Sequence, residues 1–284
     1  MTEANVRAVA DALRAAGVPA AQPDWLDHAV ACDIDVGRAP PQAVAAAIAP
    51  TIGSRPIDVA VVTKAHRRKK LLVADMDSTI IAVECIDELA DFAGLKAKVA
   101  AITERAMQGE IDFKGALRER AAMLAGLDES VLGRVFRERV KLSPGATLLL
   151  ATMRAHGAYA VLVSGGFTYF TSRVRAAAGF DDDQANTLEI ANGKLTGRVV
   201  EPILDAGAKL AALERHRRQR NIGTDETLAV GDGANDLPMI QAAGLGVAYH
   251  AKPKVAAAAA IRIAHGDLTA LLYLQGYRRG EFAA

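Results

Sequence analysis

The chain has little of what marks secreted, metal-cluster or membrane proteins. Of its 284 residues only Cys32 and Cys85 are cysteine, and they form no C-x-x-C pair. A disulfide framework or zinc cluster is therefore not expected, and a reducing compartment fits the composition. Cys85 is interpreted as a small buried residue, not as a nucleophile. Because no apolar run reaches ~18 residues and no signal pattern is visible, we expect a cytoplasmic protein without membrane contact.

A strong excess of either charge is also absent. Lysine and arginine number 34 against 33 acidic residues, a net charge of +1. A protein devoted to nucleic acid usually carries a strongly basic surface, so we expect no nucleic-acid partner. The basic run 66–70 (HRRKK) is interpreted as a solvated linker. Apolar residues make up 51% of the chain, which indicates a globular protein of two or three units.

Short apolar runs that end in polar residues recur along the chain. The runs are 71–74 before Asp75, 159–163 before Ser164, 228–230 before Gly231, and 245–248. Helical segments lie between them, and we expect one to begin at Ser143-Pro144 and to end at Gly157. This alternation predicts a doubly wound (Rossmann-like) α/β sheet, in which ligands bind beyond the carboxyl ends of the strands.

Two further segments lie before and within this core, which we assign to residues 71–84 and 143–284. Residues 1–65 combine a helical pattern over 6–13 with a strand-like run over 57–63, so we predict a small N-terminal α+β domain. Residues 85–142 are helical and too long for a simple crossover. They are predicted to form a small helical cap over the site, inserted after the first strand.

Local patterns mark a helix in the cap and a hairpin in the core. The cap helix carries an apolar stripe of Phe113, Leu117, Ala121 and Leu124 at helical spacing. Asn192-Gly193 lies between two alternating runs and predicts a hairpin over 188–199.

The segment 75–79 (DMDST) places two carboxylates at the predicted end of a strand. A carboxylate can attack phosphorus only when its charge repulsion with the phosphoryl group is removed, which a divalent cation can do. Asp75 is then the candidate nucleophile. Asp77 is the candidate acid that protonates the leaving oxygen and later deprotonates water.

Three other segments supply the remaining groups for phosphoryl chemistry. Residues 231–236 (GDGAND) add Asp232 and Asp236, and with Asp75 they make an all-oxygen site suited to Mg²⁺. Ser164 offers a hydroxyl and Gly165 a backbone N–H for phosphoryl oxygens. Lys209, in the helical segment 208–217, offers a positive charge.

In this order the motifs resemble the haloacid dehalogenase (HAD) superfamily of phosphatases, over about residues 71–250. The chain is most similar to its phosphoserine phosphatase branch, in the DMDST segment followed by Glu84 and in the SGGF segment 164–167. The similarity extends to a cap with Phe113 and, seven residues on, Arg120. It implies that Glu84 meets the substrate ammonium and Arg120 its carboxylate, with Met107 and Phe113 packing near the substrate.

The resemblance implies hydrolysis of O-phospho-L-serine to L-serine and phosphate through a phospho-aspartate, the last step of serine biosynthesis. The implied Mg²⁺ site uses Asp75, the backbone carbonyl of Asp77, and Asp232. Asn235 and Asp236 are implied to orient the phosphate and the metal's surroundings.

Three alternatives stay open. The phosphoryl group could pass to an alcohol, which would make the enzyme a phosphotransferase. The substrate could be a related small phospho-amine. A phosphoryl-accepting receiver would use similar acids, but it needs neither Asp77 as an acid nor a cap.

The N-terminal domain resembles a short, degenerate ACT module, for which we expect a structural role or a role in forming a homodimer.

Overall fold

The fold is a layered α/β structure with added elements before and within it. The computed structural model describes residues 1–107 and 110–283, without the side chains of residues 104, 106, 107 and 206. Its strands are β1 (Asp24–Asp27), β2 (Ala31–Asp33), β3 (Leu71–Ala74), β4 (Tyr159–Phe167), β5 (Asp182–Asn186), β6 (Leu188–Ala191), β7 (Lys194–Val199), β8 (Thr227–Gly231), β9 (Leu245–Tyr249) and β10 (Ile261–Ile263). Its helices are α1 (Glu3–Ala15), α2 (Pro41–Ile52), α3 (Cys85–Phe92), α4 (Lys96–Met107), α5 (Phe113–Met123), α6 (Ser130–Arg139), α7 (Ala146–Ala155), α8 (Thr168–Ala178), α9 (Ala206–Gln219), α10 (Leu237–Ala242), α11 (Pro253–Ala258) and α12 (Ala270–Leu274).

The central sheet has six parallel strands in the order β10-β9-β8-β3-β4-β5. Strand β3 lies in the middle, with every residue buried. Because side chains alternate along a strand, Leu72 and Ala74 pack on one face and Leu71 and Val73 on the other. Helices α7, α8 and α12 contribute apolar side chains to the first face, and α9 and α10 to the second. The predicted doubly wound α/β core is confirmed.

Five α-helices of the described part, α3 to α7, lie in chain order between β3 and β4, and the first four fall within residues 85–142. The predicted stripe belongs to α5 and its end, where Leu117, Ala121 and Leu124 are buried and Phe113 is half-buried. The predicted hairpin is present as β6 and β7. The Gly126 N–H donates to the carbonyl of Leu195 on β7, so the hairpin contacts the segment between α5 and α6.

The first 52 residues contain α1, β1, β2 and α2, which enclose a small apolar cluster of their own around Leu13 and Ile48. The strand predicted over 57–63 is wrong, because this segment has no regular secondary structure and joins no sheet. It is held instead by side chains. The carboxylate of Asp58 accepts the backbone N–H groups of residues 264–266 at 2.7–3.1 Å, and Ala60 and Val62 pack on the core.

The basic run 66–70 is not a solvated linker, which corrects the sequence interpretation. Arg67 donates to both carboxylate oxygens of Asp33, at 2.5 and 2.8 Å, and to the carbonyls of Tyr273 and Leu274. Lys69 is buried. The partners lie far away along the chain, so local composition gave no sign of them. Arg67 thereby ties the N-terminal residues to the core.

Helix α7 begins at Ala146, two residues later than the start at Pro144 that was predicted with Ser143 as its N-cap. Gly145 adopts a positive φ of 81° immediately before the helix, while the Ser143 N–H donates to the Ile80 carbonyl. The tight turn therefore precedes the helix and is not part of it. Within the described residues, no helix is long and apolar enough to span a bilayer.

Candidate active site

Three buried carboxylates meet at the carboxyl edge of the sheet. Asp75 follows β3, and Asp232 and Asp236 follow β8, the neighbouring strand. One carboxylate oxygen from each lies within 4.8 Å of the others. The strands are parallel and paired in register, so their ends must share one edge, and that is why residues about 157 positions apart come together.

Lys209 on α9 reaches into the same cluster. Its Nζ lies 2.6 Å from Asp75 Oδ1 and 2.5 Å from Asp236 Oδ1, and all three side chains are buried. Burial alone would lower the pKa of Lys209, but the charges of Asp75 and Asp236 raise it above its ordinary value. Lys209 is therefore a permanent cation that offsets the repulsion between two buried carboxylates.

Asp77 points away from this cluster and toward β4. Its Oδ1 accepts the Cys85 N–H at 2.9 Å and its Oδ2 accepts the Ser164 hydroxyl at 3.0 Å. Burial and the nearby charge of Glu84 raise the pKa of Asp77 to about 6. A carboxyl group with this pKa can hold or release a proton near neutral pH, as a general acid and base must.

A strained turn sets the direction of these side chains. Ser78, between Asp77 and Thr79, has a φ of 55°. Such a conformation costs a non-glycine residue about 1–3 kcal/mol and persists only when its surroundings fix it. Here the Ser78 N–H donates to the Val83 carbonyl and the Ser78 hydroxyl to Glu84 Oε1 at 2.8 Å. The turn therefore brings Glu84 beside the acid cluster.

The end of β4 provides an irregular backbone at the site. Pairing with β5 shifts between Val163 and Phe167, which places the Ser164–Gly165–Gly166 segment in a bulge. The Ser164 hydroxyl accepts the Gly166 N–H at 2.8 Å. The Phe113 ring from α5 lies directly over Gly165, where a Cβ would come within 2.9 Å of its Cζ. Only glycine allows this close approach.

Arg120 faces the site from α5. Its Nε donates to the Ala116 carbonyl at 3.3 Å, which orients the guanidinium from within the same helix. Burial lowers the pKa of Arg120, and the nearby carboxylates of Asp87, Glu84 and Asp77 act in the opposite direction. Arg120 and Glu84 therefore present opposite charges above the acid cluster.

The chain is similar in sequence to proteins of a known family. The sequence pattern of the haloacid dehalogenase-like hydrolases matches residues 72–241. A phosphoserine phosphatase from Polaromonas sp. is 49% identical over 210 residues, 72% of this chain and 89% of the relative. The chain belongs to the haloacid dehalogenase-like hydrolases, in the phosphoserine phosphatase branch.

Solved structures of this family agree with the fold. A probable phosphoserine phosphatase from Vibrio cholerae matches with a TM-score of 0.75 and 39% identity, covering 88% of this chain and 76% of that one. A substrate-bound phosphoserine phosphatase matches with a TM-score of 0.68 and 36% identity, covering 72% of this chain and 98% of that one.

The acid cluster offers a donor set that suits Mg²⁺, the ion that HAD phosphatases generally use. All three groups are carboxylates, the hard oxygen ligands this ion prefers. The Thr79 hydroxyl donates to Asp232 Oδ1 at 3.4 Å, and Asp236 Oδ2 accepts the Gly233 N–H at 2.9 Å, so both carboxylates are oriented by neighbours. The Asp77 side chain is not in this group. A role for its backbone carbonyl as a ligand stays a prediction.

Most residues predicted for the site from the HAD-like motifs lie together. Asp75, Asp232, Asp236 and Lys209 form one cluster, and Asp77 and Ser164 form a hydrogen-bonded pair beside it. Asn235 is half-buried between Asp232 and Asp236, with its Oδ1 over Gly233. The side chain of Met107 is outside the described part of the chain, so its predicted role is not addressed.

Sequence reasoning missed three residues at this HAD-type site. Asn186 is buried at the end of β5 and bonded to the Gly165 carbonyl, and Thr79 is buried against Asp232. Lys252, whose N–H donates to the Asp232 carbonyl at 3.3 Å, adds a positive charge near that carboxylate. Thr79 lies inside the quoted DMDST motif and could have been found there. The polar strand β5 (DDQAN) gave no apolar signal that would have placed Asn186.

Proposed function

We propose that this chain is a phosphoserine phosphatase, which hydrolyses O-phospho-L-serine to L-serine and phosphate. The observation that carries the proposal is the acid cluster with Lys209, combined with the opposite charges of Arg120 and Glu84 above it. With a divalent cation bound, the cluster suits a phosphate, whereas the charge pair suits a carboxylate and an ammonium. Phosphoserine carries all three groups.

The first half of the reaction uses Asp75 and Asp77. A carboxylate oxygen of Asp75 attacks phosphorus, and the bond from phosphorus to the serine oxygen breaks with its electron pair. Asp77, whose pKa is raised to about 6, can carry a proton near neutral pH, and it gives that proton to the leaving oxygen. The products are free serine and a phosphoryl group on Asp75.

The second half reverses the role of Asp77. Water gives a proton to Asp77 and attacks phosphorus, phosphate leaves, and the Asp75 carboxylate is restored. The Ser164 hydroxyl, the Gly165 N–H and Lys209 hold the phosphoryl oxygens during both halves. Asp75 and Asp232 would hold Mg²⁺, and Asp236 would orient the groups around it. The ion, when bound, supplies positive charge that reduces the repulsion between carboxylate and phosphate.

Substrate selection belongs to the residues above the cluster. Arg120 can bind the substrate carboxylate with two parallel hydrogen bonds, and Glu84 can accept from the ammonium. A substrate that lacks either group would leave a half-buried charge without its partner, which weakens binding of its transition state. Phe113, in contact with Gly165, limits the space beside the phosphoryl group.

The division of the chain is part of the proposal. Residues 71–84 and 143–284 are assigned to the catalytic core, 85–142 to the cap, and 1–65 to an N-terminal domain that supports the core or a homodimer. The nearly balanced charge and the two cysteines support action on a free small molecule in the cytoplasm, without nucleic acid or membrane.

A phosphate-release panel with Mg²⁺ tests the function. The substrates are phosphoserine, phosphothreonine, phosphoethanolamine and a sugar phosphate, each with and without an added alcohol. Phosphoserine should have the highest kcat/KM, and phosphoethanolamine, which lacks the carboxylate, should be poor. Preference for a sugar phosphate would refute the substrate assignment. Formation of a phosphorylated alcohol in place of phosphate would show a phosphotransferase.

A further inference from the structure

Asn186 makes three hydrogen bonds from a position that is 98% shielded from solvent. Its Nδ2 donates to the Gly165 carbonyl at 2.9 Å and to the Leu204 carbonyl at 3.3 Å. Its Oδ1 accepts the Leu204 N–H at 2.7 Å. The residue is only 2% exposed, so water cannot replace these bonds without a rearrangement.

The first bond fixes the bulge that presents the phosphoryl-binding backbone. Between Val163 and Phe167 the ladder with β5 is interrupted, and Asn186 is the β5 residue that pairs with Phe167 as the ladder resumes. The Gly165 carbonyl, inside this interruption, is bonded by the Asn186 side chain. This carbonyl shares one peptide group with the Gly166 N–H, which donates to the Ser164 hydroxyl, so a single carboxamide orients the peptide group that holds Ser164.

The other two bonds fix the start of α9. Leu204 directly precedes Asp205, whose carboxylate caps α9 by accepting the Gly207 N–H at 2.9 Å. Lys209 lies one turn further on, with its Nζ between Asp75 and Asp236. A shift of the Leu204 backbone would therefore move the end of the helix that carries the catalytic cation.

We propose that Asn186 is a positioning residue for phosphoryl transfer: it locks the Gly165–Gly166 peptide group and the Lys209 helix in one fixed relation. The Ser164 hydroxyl, which accepts the N–H of that peptide group, and Lys209 both contact the phosphoryl oxygens in the proposed function, on which this inference rests. Asn186 itself touches neither substrate nor metal. Its carboxamide suits the task because it donates to two carbonyls and accepts from one N–H at once, which a carboxylate cannot do.

The test compares Asn186→Ala and Asn186→Asp with the control Thr171→Val. Thr171 is also buried, and its hydroxyl donates to Asp183 on the same strand at 2.7 Å, away from the acid cluster. Asn186→Asp has nearly the shape of asparagine but places a carboxylate oxygen against two carbonyls. If either variant fails to fold, Asn186→Ser, which retains a donor, takes its place.

Four quantities are measured: the unfolding temperature, kcat for phosphoserine, KM for phosphoserine, and the inhibition constant of inorganic phosphate against p-nitrophenyl phosphate. We expect kcat to fall by about 10- to 100-fold in the Asn186 variants, because small displacements of positioned groups have effects of this size. Phosphate inhibition should weaken, while KM, which depends on Arg120 and Glu84, changes less. Thr171→Val should lower the unfolding temperature with kcat unchanged.

The inference is overturned if the folded Asn186 variants keep kcat and phosphate inhibition within twofold of the parent, whatever their unfolding temperature. The proposed function fails separately, if the parent chain itself releases no phosphate from phosphoserine. In that case p-nitrophenyl phosphate and inorganic phosphate still report whether Asn186 positions the phosphoryl site.

Discussion

The floor of the site, which is the acid cluster with Lys209, holds its charges buried, whereas the predicted cap (residues 85–142) holds its charges exposed. On the floor, Lys209 is 2% exposed and Asp236 is fully buried, and their ion pair is closed to water. On the cap, Lys114 pairs with Asp205 and Arg118 pairs with Glu201, with side chains 41–57% exposed. Buried charges interact strongly and hold a fixed geometry, whereas exposed pairs are weak and screened by salt. The catalytic groups are therefore held by strong contacts, whereas the ion pairs from the predicted cap to the core are weak.

The largest effect is expected on the floor, from Asp75→Asn. The amide cannot attack phosphorus, so turnover should fall by about 10³-fold or more, while the fold is retained because the amide occupies the same volume. Phosphate release and thermal unfolding measure both parts. Asp11→Asn, on the exposed surface of α1, is the control and should leave turnover intact. Substantial activity in the Asp75 variant would refute the nucleophile assignment.

Comparing Lys209→Met with Lys114→Met tests the contrast between the buried and the exposed lysine. Without Lys209, two buried carboxylates lose their shared cation, a change that typically costs about 3–5 kcal/mol. We therefore expect a marked fall in unfolding temperature, measured with a chelator so that no divalent cation compensates, and a large loss of activity with Mg²⁺. Lys114→Met should leave the unfolding temperature nearly unchanged. Equal effects of the two substitutions would contradict the comparison.

Arg120→Met and Glu84→Gln test whether the residues that select the substrate are separate from those that transfer the phosphoryl group. Hydrogen bonds to charged groups contribute about 1.5–3 kcal/mol, so kcat/KM for phosphoserine should fall by about 10- to 150-fold. Activity of Arg120→Met on p-nitrophenyl phosphate, which has neither ammonium nor carboxylate, should change little. Glu84→Gln also removes a charge that raises the pKa of Asp77, so it should lower this activity modestly, and less than the activity on phosphoserine. Glu84→Gln retains an oxygen for the Ser78 hydroxyl, which preserves the turn. If both substrates lose activity equally, these residues support the chemistry and do not select the substrate.

The smallest effect is expected from the exposed pairs of the cap. Replacing Lys114 and Arg118 together by alanine removes both ion pairs to the core. We expect kcat/KM to change by about two- to fivefold at low salt, and the difference from the parent to disappear near 1 M salt, where the screening length is about 3 Å. Kinetics over a salt series measure this. A difference that persists at high salt would show that the pairs do not act through charge.

The sequence contained enough to predict the residues of the floor, but not the residues that position them. Apolar runs ending in Asp75, Ser164 and Gly231 predicted parallel strands, and parallel strand ends must share an edge, so their convergence followed from topology. Asn186 was missed because β5 is polar, and its value depends on contacts with Gly165 and Leu204 that only the fold creates.

The same reason explains the errors in the N-terminal region. Residues 57–63 have the composition of a strand, yet no sheet edge is paired with them, and Asp58 binds three N–H groups about 206 residues away instead. Arg67 likewise finds its partners at Asp33 and near residue 274. Local patterns predict elements well where burial decides them, and poorly where long-range side-chain contacts do.

The most direct test of this account is to trap the reaction in mid-course. Asp77→Asn removes both the acid that protonates the serine oxygen and the base that activates water, so the trapping substrate is p-nitrophenyl phosphate, whose leaving group departs without a proton. After mixing and rapid acid quenching, the variant should accumulate a phosphorylated chain. Peptide mass spectrometry should place one phosphoryl group on Asp75, and none should appear when Asp75→Asn is added to the same variant. A phosphoryl group on any other residue would contradict the account at its centre.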